Sequence, residues 1–148
     1  MPKSKPPCYR QETDESCLPA CLRMVLAAEG RRMSEKRLRK LCHCQPAWGT
    51  LSSDVVSAAH ALGFTQSVET YQLRLRDLRD YIHSGVFPIV GVNLYELRGS
   101  WSPHAQVVVK VTARSVEVHD PLLGHLWLLA RTFERAWEIE DYLTLLIQ

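Results

Sequence analysis

The first half of the chain carries its apolar residues at intervals of three and four. From Cys17 to Glu29, residues Leu18, Cys21, Leu22, Val25 and Leu26 mark one face of a helix, and Gly30 can stop it. Pro19 is compatible with that helix because it falls in the first turn, where its missing N–H has no partner to lose. The spacing predicts a second helix over Glu35–Cys42, with Ser34 as N-cap and Leu38 and Leu41 inward. A third is predicted over Ser53–Leu62 and a fourth over Leu75–Ser84, with Gly63 and Gly85 just beyond their ends. After Gly85 the pattern changes to alternation and short apolar runs. These predict strands at Val86–Leu94, Ala105–Thr112, Ser115–His119, Leu126–Leu129 and Tyr142–Ile147, with a short helix near Phe133–Trp137. Helices first and a mainly antiparallel sheet second describe an α+β domain.

Composition narrows this picture. At 148 residues, 46% hydrophobic and 23% charged, the chain suits one domain, expected over residues 10–148 with 1–9 as an N-terminal tail. No apolar run approaches the ~18 residues of a membrane-spanning helix. The basic, Pro-rich start leads into a polar segment, so no secretory signal is visible and a cytoplasmic location is expected. Net charge is +2, but residues 1–45 hold ten basic side chains against five acidic ones. The excess gathers in Arg31, Arg32, Lys36, Arg37, Arg39 and Lys40. No nucleic-acid motif accompanies it, so it reads as a solvated helix face and no nucleic-acid partner is expected. Anion binding there would instead show as affinity falling steeply with salt.

The five cysteines (Cys8, Cys17, Cys21, Cys42 and Cys44) are an odd set without a secretory signal, which points to reduced thiols. Cys42-His43-Cys44 is too tightly spaced for a zinc site unless Cys17 and Cys21 complete it, so no metal or other cofactor is expected. Cys17 is different, because it opens the first helix with Asp14 or Ser16 available as caps. There the unpaired N–H groups and the positive end of the helix dipole favour a thiolate and can stabilise an oxyanion. Gln11, six residues upstream, offers a second donor. His104 opens one strand, and Asp120 closes the next, held extended by Pro121. If the two strands form a hairpin, a turn centred near residue 112 sets Asp120 almost opposite His104; a two-residue Ala113-Arg114 turn sets Leu123 there instead. A carboxylate beside that imidazole would leave its other nitrogen to pair with the thiol. His119 should point to the opposite sheet face. His60, His83 and His125, the last in a turn, read as structural. Trp101 is expected to border the cleft, and Trp48, Trp127 and Trp137 to lie in the core.

Gln11-x5-Cys17-Leu-Pro-Ala-Cys-Leu-Arg-Met-Val-Leu, His104-Ala-Gln-Val-Val-Val and Asp120-Pro-Leu-Leu-Gly124 resemble the double-glycine leader peptidases. These are papain-like cysteine peptidases, best known as the N-terminal domain of bacteriocin-processing ABC exporters. The similarity extends through Gly49-Thr-Leu-Ser-Ser, Ala58-Ala-His-Ala-Leu-Gly63 and Gly85-Val-Phe-Pro-Ile-Val. The resemblance implies a papain-like fold with Cys17 as nucleophile, His104 as general base and acid, Asp120 as its orienter and Gln11 as oxyanion donor. It implies cleavage after a Gly-Gly pair in a leader peptide, without a cofactor, and association with a transporter or other subunit. Family members commonly carry Gly after the nucleophile, and Leu18 here would narrow the substrate cleft. That departure raises the alternative of a peptide-binding module that does not turn over. The chain also stops where an exporter would continue into membrane spans, so a freestanding domain is expected.

Overall fold

The first helix, α1 (Cys17–Ala28), is buried on almost every side, with Ala20, Cys21, Leu22, Met24, Val25 and Leu26 all lost to solvent. Its end follows from Gly30, whose φ of 81° lets the Gly30 and Arg31 N–H groups fold back onto the Ala27 and Leu26 carbonyls. Helix α2 (Glu35–Leu41) begins where Ser34 Oγ accepts the Arg37 N–H at 3.2 Å. Helix α3 (Ser52–Ala61) completes the first layer. The structure, a computed structural model, describes residues 4–148.

Behind this layer stands a six-stranded antiparallel sheet made of β1 (Val68–Thr70), β2 (Ile89–Asn93), β3 (Pro103–Val111), β4 (Ser115–Asp120), β5 (Gly124–Leu129) and β6 (Thr144–Leu146). Its order is β1-β6-β2-β3-β4-β5. Helices α4 (Leu75–His83), the single-turn α5 (Tyr95–Arg98) and α6 (Ala130–Ile139) fill the connections. Both faces of the central strands are covered. Ile89, Ala105, Val107, Val109 and Leu145 join the α1–α3 core, whereas Val90, Val92, Val108, Val116 and Val118 pack with Leu78, Phe133 and Trp137. That double burial explains why these strands read as continuous apolar runs and not as clean alternation.

Several boundaries and positions differ from the sequence reading. β1 and α5 are too short to leave a period, and β6 starts only after Asp141 and Tyr142 turn the chain through positive φ. Trp137 is core, but Trp48 and Trp127 are 59% and 51% exposed, so neither belongs there. Trp127 projects from β5, an edge strand whose alternate residues face solvent. His125 lies in that strand, not in a turn. Of the tail expected at 1–9, residues 1–3 lie outside the described residues, and the rest makes specific contacts. Lys5 pairs with Glu117, and Tyr9 packs on the α1–α3 core beneath the Arg23 guanidinium. The basic cluster is partly spent internally, since Arg39 pairs with Glu35 at 3.0 Å and Arg31 donates to the Leu62 carbonyl. Among the described residues no helix is long and apolar enough to cross a membrane.

Candidate active site

The approach to α1 is tied down from several directions. Gln11 N–H donates to the Pro121 carbonyl at 2.8 Å, and Glu12 N–H donates to Glu35 Oε1 at 2.9 Å. Ser16 occupies the N-cap position, yet it makes no cap bond, and no Asp14 cap replaces it. Its hydroxyl is turned back onto Thr13, accepting from the Thr13 N–H and donating to the Thr13 carbonyl. Pro19 has no N–H to offer. The first turn therefore concentrates its helix-end donor capacity on the Cys17 and Leu18 N–H groups, beside the Cys17 sulfur.

The β3–β4 hairpin brings the imidazole and the carboxylate together by a route the sequence did not show. The turn is the two-residue Ala113-Arg114 form, with the Thr112 N–H bonded to the Ser115 carbonyl. Carried straight through, that register would face His104 with Leu123 and put Asp120 on the opposite side of the sheet. A bulge between Val108 and Lys110 corrects this, shifting the pairing so that Val107 faces His119. Continued one step, the shifted register sets Gln106 opposite Asp120, with His104 two residues along on the same face. A one-residue slip reverses every side chain, so this bulge decides whether the pair can form.

The resulting contacts are short. His104 Nε2 lies 2.8 Å from Asp120 Oδ1, and Gln106 Nε2 donates to Asp120 Oδ2 at 2.7 Å. Oδ1 also accepts the Leu122 and Leu123 N–H groups at 2.7 and 2.8 Å. Asp120 is wholly buried. Burial alone would raise its pKa, but the bonds to His104, Gln106 and the backbone outweigh it and hold the carboxyl below its usual range. With Nε2 engaged by Asp120, the other ring nitrogen of His104 is left for the Cys17 sulfur, which lines the same cleft. Burial pulls the His104 pKa down, but Asp120 and Cys17 overcome that and raise it to about 9. Sequence reasoning missed Gln106 and the two backbone donors. The His-x-Gln spacing on one strand face was the available signal for Gln106.

Cys17 and His104 open into a cleft of about 620 Å³. Asp14, Glu15, Leu18, the 47–51 loop with Ser52 of α3, Leu94, Ser102–His104, Gly91, Ala105 and Leu143 line it. Gly49 is required where that loop meets the α1 approach. Its φ is +87°, and a Cβ there would stand 3.0 Å from the Glu15 carbonyl oxygen. Gly91 has no room for a side chain either, since its Cβ would meet Leu143 Cδ2 at 2.8 Å and Leu143 Cβ at 3.1 Å. Gly91→Ala is therefore expected to cost about 1–3 kcal/mol. A lowered urea midpoint with an unchanged m-value would show it.

Gln11 lines the cleft, but its Nε2 donates to the Thr13 and Asp14 carbonyls at 2.9 and 3.1 Å, leaving its buried Oε1 without a partner. As placed, the amide braces the loop ahead of Cys17. Leu18 lines the cleft. Trp101 does not: it is 70% exposed and leans on Tyr95, with ring centroids 5.7 Å apart. Cys21 and Cys42 are buried, whereas His43 turns toward Asp54 through a positive φ.

A family model for the peptidase C39 family matches residues 5–146. The chain belongs to the peptidase C39 family. It is a cysteine peptidase of papain-like α+β fold, as the sequence motifs implied. Among solved structures it is similar to a Bacillus anthracis protein described as a C39-like peptidase, with 14% identity, TM-score 0.81 and 98% of each chain covered. It is similar to a double glycine motif protease from an AMS/PCAT transporter in complex with the leader peptide, with 20% identity, TM-score 0.74, and 97% and 91% covered. It is also similar to the peptidase domain of Streptococcus ComA, a bi-functional ABC transporter involved in a quorum-sensing pathway, with 25% identity, TM-score 0.77, and 95% and 98% covered. No curated protein matches the chain.

The imidazole gives this C39 member a defined pH window. If His104 must carry a proton, kcat/KM is expected to fall above pH about 9, approaching tenfold per unit. A pH–rate profile on a peptide substrate measures this. Stability should move with it: a raised folded-state pKa contributes fully below the ordinary value of 6.5, and the contribution is lost as pH rises through about 9.

Proposed function

We propose that this chain cleaves peptides after a pair of small residues, Gly-Gly in a leader segment, using Cys17, His104 and Asp120. The observation that carries the reading is the His104 Nε2–Asp120 Oδ1 contact at 2.8 Å, with His104 and Cys17 lining one cleft. The Cys17 sulfur, its proton held by His104, attacks the scissile carbonyl. The oxyanion is met by the Cys17 backbone N–H and by the Gln11 amide, once that side chain turns from the Thr13 and Asp14 carbonyls. His104 then protonates the leaving amine, and water, giving its proton to the imidazole, hydrolyses the thioester. Leu18 and Trp48 both line the cleft, and the bulk of Leu18 beside the nucleophile favours an extended segment with small residues at the cut. Likeness to a protease solved with its leader peptide and to a transporter's peptidase domain supports a leader substrate and a transporter or other subunit as partner. A cytoplasmic location accords with that partner.

The test is mass spectrometry of wild-type protein with a synthetic peptide carrying one Gly-Gly pair. Cleavage after the second glycine, through a peptide adduct on Cys17, is expected. Binding of the peptide with neither cleavage nor adduct would favour the non-catalytic module that Leu18 and the engaged Gln11 amide also suit.

A further inference from the structure

Glu117 and His119 stand two residues apart on β4 and so share a face, and the register sets His125 of β5 directly across from His119. One potential ligand atom from each lies within 4.8 Å of those from the other two. His119 is next in the chain to Asp120 but on the opposite face, so the group is separate from the active site. Part of the arrangement is an ordinary ion-pair network. Glu117 Oε2 lies 2.6 Å from His125 Nε2 and 2.5 Å from Lys5 Nζ, which satisfies those three side chains. It does not satisfy His119. That residue is 6% exposed, and its Nδ1 is buried with no partner. In the tautomer protonated on Nε2, that bare Nδ1 carries a lone pair. A buried imidazole nitrogen left bare beside a second imidazole and a carboxylate is available as a metal ligand.

We propose that Glu117, His119 and His125 bind a divalent transition-metal ion of the zinc class. Two imidazoles and one carboxylate form a donor set suited to Zn²⁺ and not to Ca²⁺ or Mg²⁺, and three protein ligands leave a fourth position for water. Half-exposed His125 provides the entry side and the freedom to draw the three ligand atoms together. The Lys5 ammonium already supplies Glu117 with a cation, so an incoming metal competes with it. A bound ion would fasten the β4–β5 hairpin next to Asp120.

Titration calorimetry with Zn²⁺, and absorption spectroscopy with Co²⁺, on the full chain test this. Co²⁺ separates the site from the five cysteines, because thiolate ligation produces an intense charge-transfer band that nitrogen and oxygen ligands do not. One equivalent bound without that band is expected, with affinity lowered about 100-fold or more in His125→Ala. Lys5→Ala, which removes the competing ammonium, should bind several-fold more tightly. Unchanged affinity in His125→Ala, weaker binding in Lys5→Ala, a thiolate band on the only bound Co²⁺, or no binding to wild type would each overturn the proposal. Circular dichroism of His125→Ala keeps loss of fold apart from loss of a ligand.

Discussion

Replacing Cys17 with alanine is expected to abolish cleavage of a Gly-Gly peptide, with kcat falling by something on the order of 10⁶ and peptide affinity nearly unchanged. Alanine suits the start of α1, because it is the best helix former and leaves the Cys17 and Leu18 backbone N–H groups in place. Removing the sulfur deletes the attacking atom and little of the cleft lining, which is shared among Leu18, the 47–51 loop and Ser102–His104. The variant also tests the electrostatics. Cys17 is one of the groups that raise the His104 pKa, so in Cys17→Ala the imidazole should titrate below about 9, readable by NMR. Full activity in this variant, with an unchanged His104 titration, would mean that the sulfur is neither the nucleophile nor coupled to the ring.

Much of this arrangement is written locally and could be read from the chain. The first four helices carry their own punctuation in Gly30, Ser34, Gly63 and Gly85, and three- and four-residue spacing shows which faces are buried. Cys17 at a helix start and His104 at a strand start follow from those boundaries alone. The Asp120 side chain does not, because its face depends on a bulge between Val108 and Lys110, a stretch with no glycine or other local mark of an inserted residue. That bulge is imposed by pairing and packing on both faces of the sheet. The tryptophans fail for a related reason. Size and apolarity favour burial on average, but Trp127 falls on the open side of an edge strand and Trp48 on a loop at the cleft. Only the sheet order and the loop path determine either position. The Glu117–His119–His125 cluster joins an i, i+2 pair to the residue facing it across the turn, so it becomes visible only once the β4–β5 register is fixed.

Asp120 is the second position where a single change should be severe, and two substitutions there should diverge. In Asp120→Ala, His104 loses the partner that fixes its ring, and kcat is expected to fall by about 10²–10⁴. The Leu122 and Leu123 N–H groups and the Gln106 amide lose their acceptor in a buried site at the same time, so about 3–5 kcal/mol of stability should go with it. Asp120→Asn keeps the shape. Its Oδ1 can still accept from His104 and the two backbone donors, while its Nδ2 would face the Gln106 amide. Gln106 can accommodate that by rotating its side-chain amide, because its Oε1 is buried with no partner in the native protein and can become the acceptor. Ring orientation is then retained and the negative charge is lost, so Asp120→Asn should lose less activity than Asp120→Ala. Its alkaline limb should begin below pH 9, because the carboxylate no longer helps to hold the proton on His104. Combining Asp120→Asn with Gln106→Leu removes the compensating acceptor. If Gln106 is what rescues the asparagine, the double variant should fall toward the alanine value in kcat; equal activity in the single and double variants would show that the amide plays no part.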